Sequence, residues 1–175
     1  LTALYSRQAT GEGRFVDISM TEGAQSFLHG AIAAHVAGGG PPPERGRDTL
    51  TGGYGFYAVY ETSDGRFFTV AALEPKFWQR FCDAIERPDL VKRQFGSPGL
   101  IEQTRAEIAA IFRTRTRDEW TAVFASVDAC CEPVLGADEL VDHPLHDARG
   151  VFLTDAEGMR RLRPPVRDRG APLPA

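Results

Sequence analysis

Hydrophobic and polar positions alternate over two short runs near the middle of the chain, Phe56–Glu61 and Phe67–Leu73. The residues between them include Ser63–Gly65, a sequence typical of a tight turn. Two β-rich runs joined by such a turn predict an antiparallel β-hairpin. Glu74 and Pro75 follow the second run, and proline is favoured at the first position of a helix. The pattern therefore predicts a strand, a turn, a strand and then a helix.

Three segments in the second half of the chain carry apolar residues at helical spacing. The first follows Pro75, the second spans Ile101–Phe112, and the third contains Trp120–Val127. Thr116 and Glu119 form a capping box at the start of the third segment, because each can satisfy a free N–H group of the other's backbone. Each segment therefore predicts an amphipathic helix.

The last third of the chain predicts shorter elements. Residues 131–135 are expected to be extended, and residues 137–141 to form a short helix. Residues 151–153 and 159–163 are expected to pair as a second hairpin. Strands and helices interleave without a repeated βαβ period, so the predicted fold class is α+β.

The N-terminal segment predicts the end of one helix, a short strand and a second helix. Residues 1–8 have an amphipathic pattern, and Arg14–Met20 alternates as a strand does. Thr21 is a suitable N-cap for the helix that follows. His35 lies on the apolar stripe of that helix, where a satisfied core histidine is favoured over a catalytic one.

Three glycines followed by three prolines occupy residues 38–43. Proline lacks a backbone N–H group, and glycine is costly to order, so neither a helix nor a central strand continues through this stretch. We predict a linker over residues 38–50 and a domain boundary there.

Composition excludes several classes of protein. The 175 residues include 20 basic and 24 acidic side chains, a net charge of −4, which argues against a dedicated binder of nucleic acids or membrane surfaces. No apolar run approaches the roughly 20 residues of a membrane span. Three cysteines, an odd number, favour a reducing, cytoplasmic compartment.

A basic tail is interpreted as a solvated, extended segment rather than an RNA-binding one: Arg160, Arg161, Arg163, Arg167 and Arg169.

Four residues of zinc-binding type occur near one another: Cys130, Cys131, His143 and His146. Structural zinc sites use ligand pairs about two to four residues apart, and adjacent cysteines rarely share one ion. We therefore expect no metal site. The cysteines are interpreted as a buried pair of small apolar side chains.

Two features are candidates for a functional site, and each has a structural alternative. The segment formed by Gly52, Gly53, Tyr54 and Gly55 is either a flexible connector or a lid that closes over a ligand. Glu74 is either an N-terminal acid stabilised by the helix dipole or a carboxylate presented at the rim of a cleft.

Four segments resemble motifs of the class III (CaiB/BaiF-type) acyl-CoA transferase family: Gln8–Met20, Tyr60–Trp78, Cys131–Leu135 and His143–Gly150. The second segment is the most specific, because its pattern of a Thr-Ser-Asp-Gly turn followed by Leu-Glu-Pro-Lys-Phe-Trp is closest to the α-methylacyl-CoA racemase branch. Together the four segments span most of the chain.

The resemblance implies a domain organisation. The family has a large Rossmann-like α/β domain that binds coenzyme A and a smaller α+β domain, and two chains interlock as a homodimer. On this pattern residues 1–37 are the end of the large domain, contributing helices and a strand, and residues 38–50 are the linker. Residues 51–155 form the small mixed domain with its antiparallel hairpin, and residues 156–175 return toward the large domain.

The resemblance also implies a site. Glu74 matches a glutamate of the racemase active site, and Gly52–Gly55 falls near a glycine-rich loop that covers thioester intermediates. The nucleophilic aspartate of the transferases, and the histidine and aspartate bases of the racemases, precede the matched segments. This chain by itself is therefore expected to be inactive.

Two functions follow from the resemblance. The first is a portion of an acyl-CoA racemase or CoA-transferase, with an acyl-CoA thioester as substrate, coenzyme A as part of that substrate and no covalent cofactor. The second is a non-catalytic fragment or partner that assembles with a full-length or split homologue.

Overall fold

The computed structural model describes residues 1–40 and 42–163, which divide into two compact units, Leu1–Tyr54 and a second that begins at Gly55. Three predicted features lie partly outside the described residues. They are the linker at Pro41, the basic tail at Arg167 and Arg169, and the end of the return segment. The mixed α+β class predicted from the sequence is confirmed.

The first unit contains three helices, α1 (Thr2–Thr10), α2 (Met20–Ser26) and α3 (His29–Val36). The strand predicted over Arg14–Met20 is wrong, because its last residue begins α2 and the rest is irregular. Among the described residues of this unit there is no second strand to supply the inter-strand hydrogen bonds that a strand needs.

The capping of α2 differs from the prediction as well. The hydroxyl of Ser19, rather than that of Thr21, accepts a hydrogen bond at the N-terminus of this helix, from the backbone N–H of Glu22 at 3.2 Å. A serine in extended conformation before the first turn satisfies a backbone donor that is otherwise unpaired. The helix therefore begins one residue earlier than Thr21.

His35 was expected in a core and is exposed instead. Its Nδ1 lies 2.7 Å from the carbonyl oxygen of Gly40, which can only accept, so Nδ1 carries the proton. The core prediction fails because none of the described side chains of α1, α2 and α3 is buried. An apolar stripe marks the helix face that packs against another element of a core. Among the described residues of this unit, no element covers the stripe that contains His35.

The second unit is built on a three-stranded antiparallel sheet with strand order β1-β2-β3. Strands β1 (Tyr57–Glu61) and β2 (Phe67–Ala71) form the predicted hairpin, which is confirmed. Strand β3 (Cys131–Pro133) lies within the segment predicted to be extended, and it pairs with β2 through Thr69 opposite Glu132. Strand β2 is therefore central.

Five helices and a second hairpin complete this unit. The helices are α4 (Pro75–Ala84), α5 (Pro98–Phe112), α6 (Arg117–Phe124), α7 (Ala137–Val141) and α8 (Pro144–Ala148), with a 3₁₀ helix at Pro88–Arg93. Strands β4 (Phe152–Thr154) and β5 (Arg160–Leu162) pair as predicted. Neither α8 nor the 3₁₀ helix is predicted from the sequence. Both begin at a proline, a residue favoured at the first position of a helix.

An aromatic cluster fills the core of the second unit, and the fully buried Phe112 of α5 lies at its centre. The Phe112 ring lies 5.1 Å from Tyr60 of β1 and 5.7 Å from Phe68 of β2, measured between ring centroids. On the helical side it lies 6.3 Å from Phe81 of α4 and 4.9 Å from Trp120 of α6. One side chain therefore joins both strands of the hairpin to three helices.

We expect Phe112→Ala to lower the free energy of unfolding by about 3–5 kcal/mol, because it removes the contacts of a buried ring and leaves a cavity. Urea unfolding monitored by tryptophan fluorescence measures the loss. Leu153→Ala, at a half-exposed position of β4, is the matched control and should change the stability by less than about 0.5 kcal/mol. Equal effects of the two substitutions would contradict the central role of Phe112.

An ion pair between the buried Arg117 and the partly exposed Glu139 connects α6 to α7. The guanidinium of Arg117 donates to both carboxylate oxygens of Glu139, at 2.6 and 2.7 Å, and to the carbonyl oxygen of Val134 at 3.1 Å. The backbone N–H of Arg117 donates to the carboxylate of Asp64 in the hairpin turn. Mainly because of the Arg117 hydrogen bonds, the pKa of Glu139 falls from its usual 4.5 to about 2.

This low pKa predicts that the Arg117–Glu139 ion pair stabilises the fold less at acid pH. A carboxyl group whose pKa is lower in the folded chain stabilises the fold above its ordinary pKa, and that stabilisation is lost as the pH falls toward the folded value. Between about pH 5 and pH 2 the urea midpoint should therefore fall less steeply in Glu139→Gln than in the parent chain. Glu157→Gln, in the exposed turn between β4 and β5, should leave the slope unchanged. If the urea midpoint changed equally with pH in all three proteins, the ion pair would not contribute to stability.

Candidate functional site

Glu74 occupies the junction between β2 and α4. Its backbone is extended, with φ −74° and ψ 142°, and its carbonyl oxygen accepts hydrogen bonds from the N–H groups of Phe77 and Trp78. The side chain is exposed and makes no capping hydrogen bond to the helix. The backbone of Glu74 therefore serves the helix, while its carboxylate is presented at the surface.

The chain is anchored on each side of Glu74, at Leu73 and one helical turn later at Trp78. The carbonyl oxygen of Leu73 accepts a hydrogen bond of 2.7 Å from the side-chain amide of Gln94. Trp78 is buried, and its indole Nε1 donates to the carbonyl oxygen of Val91 at 3.1 Å. The anchoring partners belong to the segment between α4 and α5. Glu74 is thus an exposed carboxylate on a rigid backbone, as a positioned acid or base requires.

The loop before β3 lies against this junction. The N–H of Ala71, at the end of β2, donates to the carbonyl oxygen of Cys130 at 2.9 Å. Arg80 of α4 donates to the backbone carbonyl oxygen and to the carboxylate of Asp128, at 3.1 and 2.5 Å. The loop is therefore fastened both to the strand that precedes Glu74 and to the helix that follows it.

The predicted burial of both cysteines is half wrong. Cys131 is buried on the inner face of β3, and burial raises the pKa of its thiol strongly. Cys130 is exposed and adopts a left-handed backbone conformation with φ 54°. This turn before β3 directs the two neighbouring side chains to different surroundings, so the pair does not pack together.

Charges of the junction act on the Cys130 thiol. Partial desolvation raises the pKa of Cys130, the carboxylates of Glu74 and Asp128 raise it further, and the ammonium group of Lys76 lowers it. Lys76 also stacks over the ring of Phe77, with Nζ 4.5 Å from the ring centroid. A carboxylate, an ammonium group and a thiol are therefore electrostatic neighbours at the start of α4.

The glycine-rich segment lies at the boundary between the two units. Gly52 has φ 101°, and Gly53 donates its N–H to the carbonyl oxygen of Asp48 at 3.0 Å. A Cβ at Gly53 would lie 2.2 Å from the carbonyl oxygen of Arg47, so only glycine fits there. Because Gly52, Gly53 and Tyr54 belong to the first unit, their assignment to the site of Glu74 stays a prediction.

Gly55, the first residue of the second unit, packs tightly against α5. A Cβ at this position would lie 2.9 Å from Cδ1 of Ile108. The hydroxyl of the buried Tyr60 donates to the carbonyl oxygen of Gly55 at 2.8 Å. Burial also raises the pKa of Tyr60 well above its usual value, so this hydroxyl keeps its proton. Gly55 is therefore anchored to the hairpin at its end of the segment.

The histidines near the C-terminal hairpin have local partners. Nδ1 of His143 accepts a hydrogen bond from the N–H of Leu145, and Nδ1 of His146 lies 2.7 Å from the carbonyl oxygen of Leu140. Over residues 1–40 and 42–163, no group of three or more histidine, cysteine or carboxylate side chains is arranged to hold a metal ion. Among the same residues, no helix has the length and apolarity that crossing a bilayer requires.

Glu74 is predicted from the sequence, whereas its proximity to Cys130 is not. A signal was available, because residues 131–135 were expected to be extended. Had this segment been paired with the second strand of the hairpin, residue 130 would have fallen beside Ala71. The choice of neighbouring strand was the missing information.

Comparison with known proteins identifies the family. The family model described as CoA-transferase family III matches residues 1–173. The chain belongs to this family. The resemblance inferred from four short segments is therefore confirmed.

Two curated relatives illustrate the range of the family. The chain is 33% identical over 161 residues to the human alpha-methylacyl-CoA racemase, a match that covers 90% of this chain and 41% of the relative. It is 28% identical over 170 residues to the succinyl-CoA:mesaconate CoA-transferase of Haloarcula marismortui, covering 90% of this chain and 40% of that enzyme. The chain thus spans less than half the length of either relative.

The fold also matches a solved structure. A crystal structure of a CaiB/BaiF family protein from Brucella suis superposes with a TM-score of 0.69 and 22% identity, over 97% of this chain and 45% of that one. At this level of identity the match supports the fold alone.

The surroundings of Glu74 can be tested through the thiol of Cys130, because Cys82 and Cys131 are buried. Native chain should react with one equivalent of iodoacetamide, at Cys130. At pH 8, Glu74→Gln should increase the rate of that reaction by roughly two- to fivefold, since removing a neighbouring negative charge favours the thiolate. Peptide mass spectrometry measures the site and the rate.

Glu102→Gln, an exposed position on α5, is the control and should react at the parent rate. If Glu74→Gln reacted no faster than Glu102→Gln, Glu74 and Cys130 would not be electrostatic neighbours.

Proposed function

We propose that the chain is part of an acyl-CoA-processing enzyme and that Glu74 is the active-site carboxylate it contributes. One observation carries the proposal: the glutamate that matches the racemase motif is exposed, and its backbone is held on both sides by hydrogen bonds. A structural helix cap would instead use its side chain to bond the helix, which Glu74 does not do.

The chemistry explains what such a carboxylate can do. Racemisation at the α-carbon of a thioester requires a base that removes the α-proton on one face and an acid that returns it on the other. It also requires hydrogen-bond donors for the negative charge that develops on the thioester oxygen. In the racemase pattern a histidine and an aspartate fill these two roles, so Glu74 would act beside them, by accepting a hydrogen bond that orients one of these groups. The thioester of coenzyme A is the substrate here, so no resident cofactor is needed for this step.

Between the two reactions, the racemase is favoured. The human racemase is the more similar of the two relatives described, at 33% against 28% identity for the transferase. The Glu74 segment also resembles the racemase branch. In CoA transfer, an aspartate nucleophile would carry the acyl group, and Glu74 would line the site without forming a covalent bond.

A second candidate function is a non-catalytic partner that assembles with a homologous chain. The first unit favours it, because large apolar side chains there face solvent: Phe15, Ile18 and Phe27 are 96%, 82% and 92% exposed. Apolar surface of this extent is typical of an interface rather than of a free surface. The partner would be a second copy or a longer member of the same family.

For the first proposal, the protein expressed from the complete reading frame that contains this sequence should exchange the α-hydrogen of a 2-methylacyl-CoA for deuterium in heavy water. Glu74→Gln should slow this exchange by about 100-fold, the usual cost of misplacing a catalytic group by about 1 Å. The 175-residue chain alone should show no exchange. Mass spectrometry of the recovered acyl-CoA measures the deuterium.

Glu86→Gln, an exposed residue two positions beyond the end of α4, is the control and should exchange at the parent rate. An unchanged rate in Glu74→Gln would remove Glu74 from the site. If the parent protein instead moved coenzyme A to a free carboxylic acid without exchange at the α-carbon, the transferase reaction would replace the racemase.

For the second proposal, the chain should form a complex with a full-length family member, or with itself, at micromolar concentration. Size-exclusion chromatography with light scattering gives the mass. Because apolar contact drives the association, a charge at an exposed apolar position of the first unit, Ile18→Asp, should shift the chain to a monomer. Ser26→Asp, at an exposed polar position of α2, should leave the mass unchanged. A parent chain that stays monomeric with both partners would exclude this function.

A further inference from the structure

We draw no further inference here: the strongest candidate, the exposed thiol of Cys130 in the loop before β3, is a single cysteine beside the site already described, and no second feature of the described residues points to a ligand for it.

Discussion

The packing of the Phe112 ring is the interaction on which the second unit depends. It contacts both strands of the hairpin and, through α4 and α6, the helices that cover the sheet. Protein interiors are close-packed, so a ring shared by five elements fixes their separations together. The position of α4 relative to β2 follows from this contact, and Glu74 lies at the point where that strand becomes that helix.

Hydrogen bonds and ion pairs position the loops that the aromatic core does not contact. Arg117, nearly buried, connects the hairpin turn at Asp64 to α7 at Glu139. At the opposite end of β2, the N–H of Ala71 and the guanidinium of Arg80 hold the loop that carries Cys130. Apolar packing therefore sets the layers, and charged groups set where the connecting loops lie. The junction at Glu74 combines an apolar anchor, the buried Trp78, with hydrogen bonds to that loop.

The two units differ in how much of their stability is internal. The second has a filled aromatic core, whereas none of the described side chains in the helices of the first is buried. Conformational entropy opposes the ordering of each residue, and buried apolar area is the main term that offsets it. The apolar residues of the first unit are therefore exposed, with no internal core among the described residues to cover them. This agrees with a chain that spans less than half the length of its relatives.

The sequence by itself determined most local elements of the second unit, the fold class and the family. The hairpin, the start of α4 at Pro75 and the capping box at Thr116 depend on neighbours in the chain, so periodicity and turn chemistry predict them. Only the tertiary structure decided the pairing of β3 with β2, the separation of the two cysteines and the exposure of His35, along with the loss of the strand at Arg14–Met20. Each of these features depends on whether a segment distant in the sequence packs beside it. The spacing of residues along the chain does not show which distant segments pack together.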